Sequence, residues 1–194
     1  MRMAHGDSVQ GGPTGPVSDG AWTASWCHPE YVIGVDPDDD QVGLLSRDEA
    51  HLPGGQLHRA FMVLLTDAGG RLLLARRSEH KRLWPLAWAD SCAGHPRPGE
   101  DVVDAARRRM QEELGFSPPV EPVGSFIYRA EYEGLGCEYE LCHVLTGRAD
   151  EGLAPDSAEV AEVGWLSLEE LDRQIAERPE RFAPWLIEGL RAVF

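Results

Sequence analysis

The sequence predicts a mixed α/β domain with helices on both faces of a β-sheet. Short apolar runs bounded by turn residues predict strands, and they are interspersed with amphipathic segments of helical period. The 194 residues are 42% hydrophobic, which is enough for one core without a metal or disulfide staple. We expect a single domain over residues 30–194, preceded by a flexible arm over residues 1–29 that is rich in Gly, Pro and Ser.

Composition excludes several classes of partner. With 18 Lys and Arg against 33 Asp and Glu, the net charge is −15, which disfavours nucleic acids and anionic membranes. No apolar run approaches the roughly 20 residues of a membrane span, and no N-terminal apolar stretch resembles a signal peptide. The 4 cysteines lack metal-finger spacing and are typical of reduced thiols. We therefore expect a cytoplasmic protein, present as a monomer or weak dimer.

The first half of the domain predicts two hairpins. The segment "DPDDDQ" separates one pair of strands and "DAGG" separates the next, where glycine provides positive φ angles. The Asp run superficially resembles a calcium loop, but Gln41 and Arg47 stand where that loop needs glycine and glutamate. The strands are expected at residues 31–35, 42–45, 60–66 and 71–77.

An amphipathic helix follows a Gly/Pro-rich loop. Apolar residues recur at every fourth position from Val102 to Leu114. Gly115 ends this helix, and the "SPP" that follows prevents its continuation. Further strands are expected at residues 124–130, 137–147 and 162–167, and helices at residues 168–176 and 183–194.

The helix carries a charge pattern of fixed spacing. Arg109 and Glu113 lie four residues apart on one helical face, where a carboxylate can share Mg²⁺ with a bound diphosphate. A solvated helix with surface salt bridges is the alternative. The pattern resembles the Nudix box, G-x5-E-x7-R-E-U-x-E-E-x-G-U, which implies a Nudix fold, a mixed sheet between helices. The matching residues are Gly94, Glu100, Arg108, Glu112, Glu113, Gly115 and Phe116.

Arg109 is the one departure from the box. Nudix hydrolases of nucleotides have a metal-binding glutamate at this position, so an arginine removes a ligand and adds a cation. Simple pyrophosphate hydrolysis is therefore disfavoured.

Five segments from about Tyr31 to the C-terminus resemble type I isopentenyl diphosphate isomerases, a Nudix family in which arginine also takes the glutamate position of the box. The resemblance covers all but the N-terminal arm. The segments are "AHLPGGQLHRAF", "LLLARRSEHKRLWPLAWADSCAGHP", "FIYRA", "CEYELCHV" and "RFAPW".

The resemblance implies two metal sites. Glu138 and Glu140 alternate to the same face of a strand, so both carboxylates can reach one ion. Imidazoles combined with carboxylates suit Mn²⁺, Zn²⁺ or Fe²⁺ better than Mg²⁺ or Ca²⁺. Glu113 would bind the Mg²⁺ that accompanies the diphosphate. The implied transition-metal ligands are His51, His58, His95, Glu138 and Glu140.

The resemblance also implies a prenyl diphosphate as the small-molecule substrate. Arginine and lysine side chains suit diphosphate oxygens, which explains how an acidic chain would bind an anion. The implied diphosphate ligands are Arg47, Arg77, Lys81 and Arg109.

Isomerisation requires proton addition to an alkene and proton removal two carbons away. The implied acid is Glu140, hydrogen-bonded to or relayed through Tyr128. Trp185 would place its π face over the carbocation, an interaction worth about 2 kcal/mol or more in a dry site. We expect Trp84 and Trp88 to line the hydrocarbon pocket, with a role in the core as the alternative.

The chain departs from the isomerase pattern at the second acid–base group. The family has a cysteine at the position of Ala93, and the only nearby thiol is Cys92. Neighbouring side chains of extended backbone point to opposite faces, so Cys92 replaces that thiol only if the loop kinks. Asp90, at the family's asparagine position, is a second ionisable group. A missing general base costs about 10²–10⁴-fold in rate.

Four functions remain open from the sequence. The first is isopentenyl/dimethylallyl diphosphate isomerisation that uses Cys92, Asp90 or water as the base. The second is protonation-initiated cyclisation or hydration of a longer prenyl diphosphate. The third is diphosphate hydrolysis, and the fourth is binding of a diphosphate without catalysis.

Overall fold

The computed structural model describes residues 31–149 and 152–194, which form a nine-stranded mixed sheet with helices on both faces. The expected N-terminal arm lies outside the described residues. The strands are β1 Tyr31–Val35, β2 Gln41–Ser46, β3 His58–Thr66, β4 Leu72–Arg77, β5 Trp88–Ala89, β6 Cys92–Gly94, β7 Val120–Tyr132, β8 Gly136–Arg148 and β9 Val160–Leu166. The helices are α1 Arg47–Ala50, α2 Val102–Leu114, α3 Leu168–Glu177 and α4 Pro184–Val193.

The sheet is organised around β3. Five strands pair in the order β2-β1-β3-β4-β5. Strands β6 and β8 also pair with β3, β7 pairs with β8, and β9 pairs with β4. The β3–β8 pair is parallel, whereas β3–β6 and β7–β8 are antiparallel. The predicted α/β class, with helices on both faces of a mixed sheet, is confirmed.

Two buried clusters lie on opposite faces of the sheet. One contains Leu171 of α3 and Trp185 and Leu190 of α4, together with Tyr128 of β7. The other contains Met110 of α2 with neighbouring alanines and leucines. Because the two clusters share no side chain, the face on which a residue lies decides which helix it meets.

The predicted strands and helices are present, and the differences lie in short or extended elements. Strands β7 and β8 are each 13 residues long, and β7 continues past Pro122 through a bulge. A proline fits there because β7 pairs only with β8 within the described residues. The one-turn helix α1, the 3-10 turn Pro179–Arg181 and strands β5 and β6 are too short to show a periodicity.

Strands β3 and β4 diverge beyond their hairpin turn, and residues 90 and 91 fill the gap. The Ser91 hydroxyl donates to the Leu73 carbonyl at 2.7 Å and accepts from the Leu65 amide at 2.9 Å. One Asp90 carboxylate oxygen accepts from the Val63 amide at 3.3 Å. These contacts satisfy backbone groups that the splayed strands leave unpaired, and they fix the start of β6.

Helix α2 ends as predicted at Gly115, whose φ angle is 75°. A Cβ atom there would lie 2.7 Å from the Ala154 carbonyl oxygen. The segment that follows β8 also covers the end of the helix, since the Ala154 amide donates to the Leu114 carbonyl at 2.8 Å. Gly115 is therefore required both for its backbone conformation and for space.

The two requirements separate when Gly115→Ala is compared with Gly70→Ala. Gly70 has a similar φ of 76°, but nothing lies within 4 Å of its ideal Cβ. We expect Gly70→Ala to lower the free energy of unfolding by about 1 kcal/mol through backbone strain alone. Gly115→Ala adds the clash with Ala154, a further loss of about 1–3 kcal/mol. Equal losses in urea-induced unfolding would show that the close approach is unimportant.

Candidate active site

A cavity with a volume of about 350 Å³ is lined by residues of β4, β6 and β8, among others. Its lining combines acidic, imidazole and cationic side chains with Tyr128 and Trp185. Most of the residues that the sequence singles out for chemistry therefore lie around one space.

Three histidines and two glutamates converge at one end of this cavity. His58 begins β3 and lies opposite Glu140 in the parallel β3–β8 ladder, and Glu138 precedes Glu140 on the same face of β8. His51 follows α1, and His95 follows β6. One potential ligand atom from each of the five residues lies within 4.8 Å of all the others. The cluster is assembled from four separate segments.

Backbone carbonyls orient two of the imidazoles. His51 Nδ1 lies 2.6 Å from the Arg47 carbonyl oxygen, and His58 Nδ1 lies 2.7 Å from the Gln56 carbonyl oxygen. Because a carbonyl can only accept, each Nδ1 carries a proton, and each Nε2 is turned toward the cluster. Burial would lower the pKa of His51, but the hydrogen bond and charge of Glu138 raise it overall. Burial lowers the pKa of His95 to about 3, so this imidazole is neutral at physiological pH.

The donor set fits a divalent transition-metal ion. Glu138 Oε2 is buried without a hydrogen-bond partner, and His51 Nε2 lies 3.0 Å from it. A proton on His51 Nε2 or a bound metal ion would satisfy both atoms at this distance. His58 Nε2 and His95 Nε2 lie 3.1 Å apart. Imidazole nitrogens with carboxylate oxygens match Mn²⁺, Zn²⁺ or Fe²⁺.

Glu140 links the metal-ligand cluster to a phenol. Its Oε1 lies 2.8 Å from His95 Nε2, and its Oε2 accepts a hydrogen bond of 2.6 Å from the Tyr128 hydroxyl. Burial opposes ionisation of Glu140, but hydrogen bonds with His58 and His95 hold its pKa well below its usual range. Burial and the Glu140 charge raise the pKa of Tyr128 well above its usual value. The proton shared by this pair therefore resides on the phenol.

The four expected diphosphate ligands all line the cavity, and three of them contact protein acceptors. Arg77 donates to the Leu83 carbonyl at 2.8 Å and to the Trp84 carbonyl at 3.0 Å. Arg109 pairs with Glu112 at 2.7 Å and closely with Glu113. The acceptor for Lys81 is Glu159, which also lines the cavity and which the sequence analysis missed. Glu159 stands alone in a loop, outside the Nudix box.

Trp185 is held on two sides. Its indole Nε1 donates to Asp90 at 2.8 Å, and the Arg77 guanidinium carbon lies 5.0 Å from the centre of its ring. Trp84 packs edge-to-face against it at 5.6 Å. Among the described residues, neither Trp84 nor Trp88 is part of the cavity lining, contrary to our expectation. Both pack against the core cluster beside α4, since the cavity wall there is already formed by Trp185.

Comparisons with known proteins agree with this geometry. The NUDIX domain profile matches residues 56–186. The isopentenyl-diphosphate Delta-isomerase of Nocardia farcinica is 45% identical over 157 residues, which is 80% of this chain and 90% of the relative. That of Burkholderia multivorans is 42% identical over 156 residues, covering 80% and 88% of the two chains. This chain belongs to the isopentenyl-diphosphate Delta-isomerase family.

Solved structures place the family member in the Nudix fold. A Deinococcus radiodurans protein is 25% identical and superposes with a TM-score of 0.70 over 85% of this chain and 99% of its own. A MutT Nudix hydrolase from Burkholderia pseudomallei has a TM-score of 0.57 over 72% of this chain and 99% of its own, at 20% identity. The predicted Nudix fold is confirmed. No helix in residues 31–149 and 152–194 combines the length and apolar character needed to span a bilayer.

The register of β6 shows on which side of the sheet Ala93 and Cys92 lie. Ala93 lies opposite Met62, which belongs to the same buried cluster as Tyr128 and Trp185. Cys92 lies opposite Val63, in the cluster beneath α2. The thiol therefore lies on the α2 side of the sheet and not on the Tyr128 side, because β6 is regular strand and alternates, although Cys92 still lines the cavity. Burial, together with the charge of Glu113, raises the pKa of Cys92 well above its usual value.

Asp90, the second acid–base candidate, lies on the Trp185 side. It is 1% exposed, and its two carboxylate oxygens accept hydrogen bonds from Trp185 and the Val63 amide. Burial outweighs these bonds and raises the pKa of Asp90 to about 7. This carboxyl thus binds a proton in the folded chain at pH values where the unfolded chain has lost it.

Asp90 is expected to make stability depend on pH. Its proton stabilises the fold fully below about pH 4, and this contribution is lost as the pH rises through about 7. Asp90→Asn keeps an acceptor for Trp185 without ionising. Relative to wild type it should gain about 2 kcal/mol in unfolding free energy between pH 5 and pH 8. Asp172→Asn, at an exposed position of α3, is the control and should show no such trend. A parallel pH dependence of Asp90→Asn and wild type would contradict the assignment.

Proposed function

We propose that this chain interconverts isopentenyl and dimethylallyl diphosphate by protonating the carbon–carbon double bond of its substrate. The observation that carries the proposal is the Tyr128–Glu140 hydrogen bond of 2.6 Å, set between the metal-ligand cluster and Trp185 in the same cavity as four cationic side chains. The residues that we propose as proton donor, metal ligands and anion ligands thus lie around one space of about 350 Å³. The kinship to named isomerases supports the same reaction.

Different residues would bind the diphosphate, its Mg²⁺ and the transition-metal ion. Arg47, Arg77, Lys81 and Arg109 would hold the diphosphate, and Glu113 would hold its Mg²⁺. A transition-metal ion, when bound, would supply fixed positive charge beside Glu140. The residues that would hold it are His51, His58, His95, Glu138 and Glu140.

In the forward reaction, the proton shared by Tyr128 and Glu140 adds to the terminal methylene carbon of the substrate. The electron pair of the double bond forms the new C–H bond and leaves a tertiary carbocation. Loss of a proton from the carbon on the diphosphate side then forms the isomeric double bond. Asp90 is our candidate for receiving this proton, directly or through water, because a base with a pKa of about 7 suits neutral pH.

Ala93 favours a second candidate function. A methyl group replaces the family's acid–base thiol on the Tyr128 side of β6, so the cation has fewer routes to deprotonation. A longer prenyl diphosphate could then be protonated and cyclise or capture water. Mass spectrometry of the products from ten-, fifteen- and twenty-carbon diphosphates distinguishes this function from isomerisation. Hydrolysis is the weaker alternative, because Arg109 occupies the position of a metal-binding glutamate, and a phosphate-release assay tests it.

The metal site is testable without an activity assay. We expect dialysed protein to retain about one equivalent of Mn²⁺, Zn²⁺ or Fe²⁺ per chain by mass spectrometry of its metals. Loss of a residue that only supports a metal ligand weakens metal binding by about 10-fold. His58→Ala removes a ligand itself, so it should weaken metal binding by more than that. His143→Ala is the matched control, since His143 pairs with Asp39 outside the cluster. Equal metal retention by the two variants would contradict the assignment.

Proton delivery is tested by deuterium incorporation from D₂O in the presence of Mg²⁺ and Mn²⁺. Wild type should label its substrate and form both isomers, and Glu140→Gln and Tyr128→Phe should be slower by about 10²–10⁴-fold. Cys92→Ser should retain the wild-type rate because the thiol lies on the α2 side of β6.

Two outcomes would revise this proposal. Loss of activity in Cys92→Ser would assign the base to Cys92. Turnover only in Ala93→Cys would show that the native chain performs another reaction, and the product analysis above would then identify it. We also propose that the protein works in the cytoplasm.

A further inference from the structure

Glu159 lies between two cations that the proposed function assigns to the diphosphate. Its Oε2 pairs closely with Lys81 Nζ, and its Oε1 lies 3.5 Å from Arg109 Nη2. Its side chain is 30% exposed and lines the cavity. A single carboxylate thus pairs with two cationic side chains from different elements, the loop after β4 and helix α2.

The backbone around Glu159 is anchored to both of these elements. The Ser78 amide, at the end of β4, donates to the Glu159 carbonyl at 3.0 Å. The Asp156 amide donates to the Glu113 carbonyl at the end of α2 at 2.9 Å, and the Glu159 amide donates to the Asp156 carbonyl at 3.0 Å. These bonds hold the turn before β9 across the cavity rim and fix where the carboxylate lies.

The local charge balance explains why this position matters. Lys81 and Arg109 carry two positive charges, and Glu112, Glu113 and Glu159 surround them with three negative charges. Partial burial would raise the pKa of Glu159, but the Lys81 and Arg109 charges lower it overall. The carboxylate is therefore ionised, and a diphosphate that approaches without a metal ion meets cations that are already neutralised.

We propose that Glu159 is a positioning residue that makes diphosphate binding depend on a divalent cation. This inference rests on the proposed function, because it assumes that the diphosphate binds at Lys81 and Arg109. The diphosphate oxygens and the Glu159 carboxylate compete for these two side chains. A divalent cation that enters with the diphosphate offsets the added negative charge, so the exchange becomes favourable only when both are present.

Calorimetric titration with inorganic diphosphate tests this proposal, first in EDTA and then with Mg²⁺. Glu159→Gln removes the charge but keeps the shape and a hydrogen-bond acceptor for Lys81. We expect it to bind metal-free diphosphate about fivefold more tightly than wild type, and to show a correspondingly smaller gain from Mg²⁺. Glu159→Asp retains the charge and should keep most of the Mg²⁺ dependence.

Glu162→Gln is the matched control. Glu162 lies three residues further along the chain and pairs with Arg76 at 3.5 Å on an exposed surface. Because both variants replace Glu with Gln, they change the net charge equally. It should bind diphosphate like wild type in both conditions. A similar gain in Glu162→Gln would show that the effect follows net charge and would overturn the assignment to Glu159.

The remaining outcomes are also decisive. Weaker binding of the Mg²⁺–diphosphate complex by Glu159→Gln, without tighter metal-free binding, would make Glu159 a supporting ligand and overturn the competition. Unchanged binding in both conditions would overturn it as well. If wild type failed to bind diphosphate even with Mg²⁺, the proposed function itself would be wrong. Circular dichroism melting of each variant verifies that the fold is retained.

Discussion

The Glu140 carboxylate is the interaction on which the site depends. In the sheet it lies on one rung with His58 of β3 on one side and Tyr128 of β7 on the other. Its two oxygens therefore face different chemistry, imidazole nitrogen and phenol. A register slip of one residue in either ladder would turn the side chain to the opposite face and separate these groups. The parallel β3–β8 pair, buried at the centre of the sheet, makes such a slip costly.

The fold was more accessible from the sequence than the site. Helix α2 has an apolar stripe, a capping Asp101 and a terminal Gly115, so its bounds follow from local signals. The metal-ligand cluster has no such signal, because His51, His58 and His95 come from separate segments whose meeting is a tertiary event. Resemblance to a family supplied that grouping. Glu159 and Ser91 were missed because each acts alone in a loop, where no spacing distinguishes it from solvated polar residues.

Alternation along β6 places the Cys92 thiol on the α2 side of the sheet. Residues 92–94 pair regularly with β3, so the loop does not kink here. The reason lies upstream, where Ser91 and Asp90 fill the gap between the diverging strands β3 and β4 and hold the start of β6 in register. Asp90 therefore has a structural task whatever its part in proton transfer, which accounts for a carboxyl buried at a cost to its own ionisation.

Arg77 connects the two ends of the cavity. Its guanidinium packs over Trp185 and is partly desolvated, which lowers its pKa, although it remains charged as arginine does in proteins. In the proposed reaction, a carbocation beside Trp185 would meet this positive charge. The repulsion is small only when the diphosphate neutralises Arg77, so anion binding favours the chemical step electrostatically as well as by placing the alkene. One π face of Trp185 is already in contact with Arg77, so the indole alone would not suffice to stabilise the carbocation. The negative charge of the substrate's own diphosphate would contribute to that stabilisation.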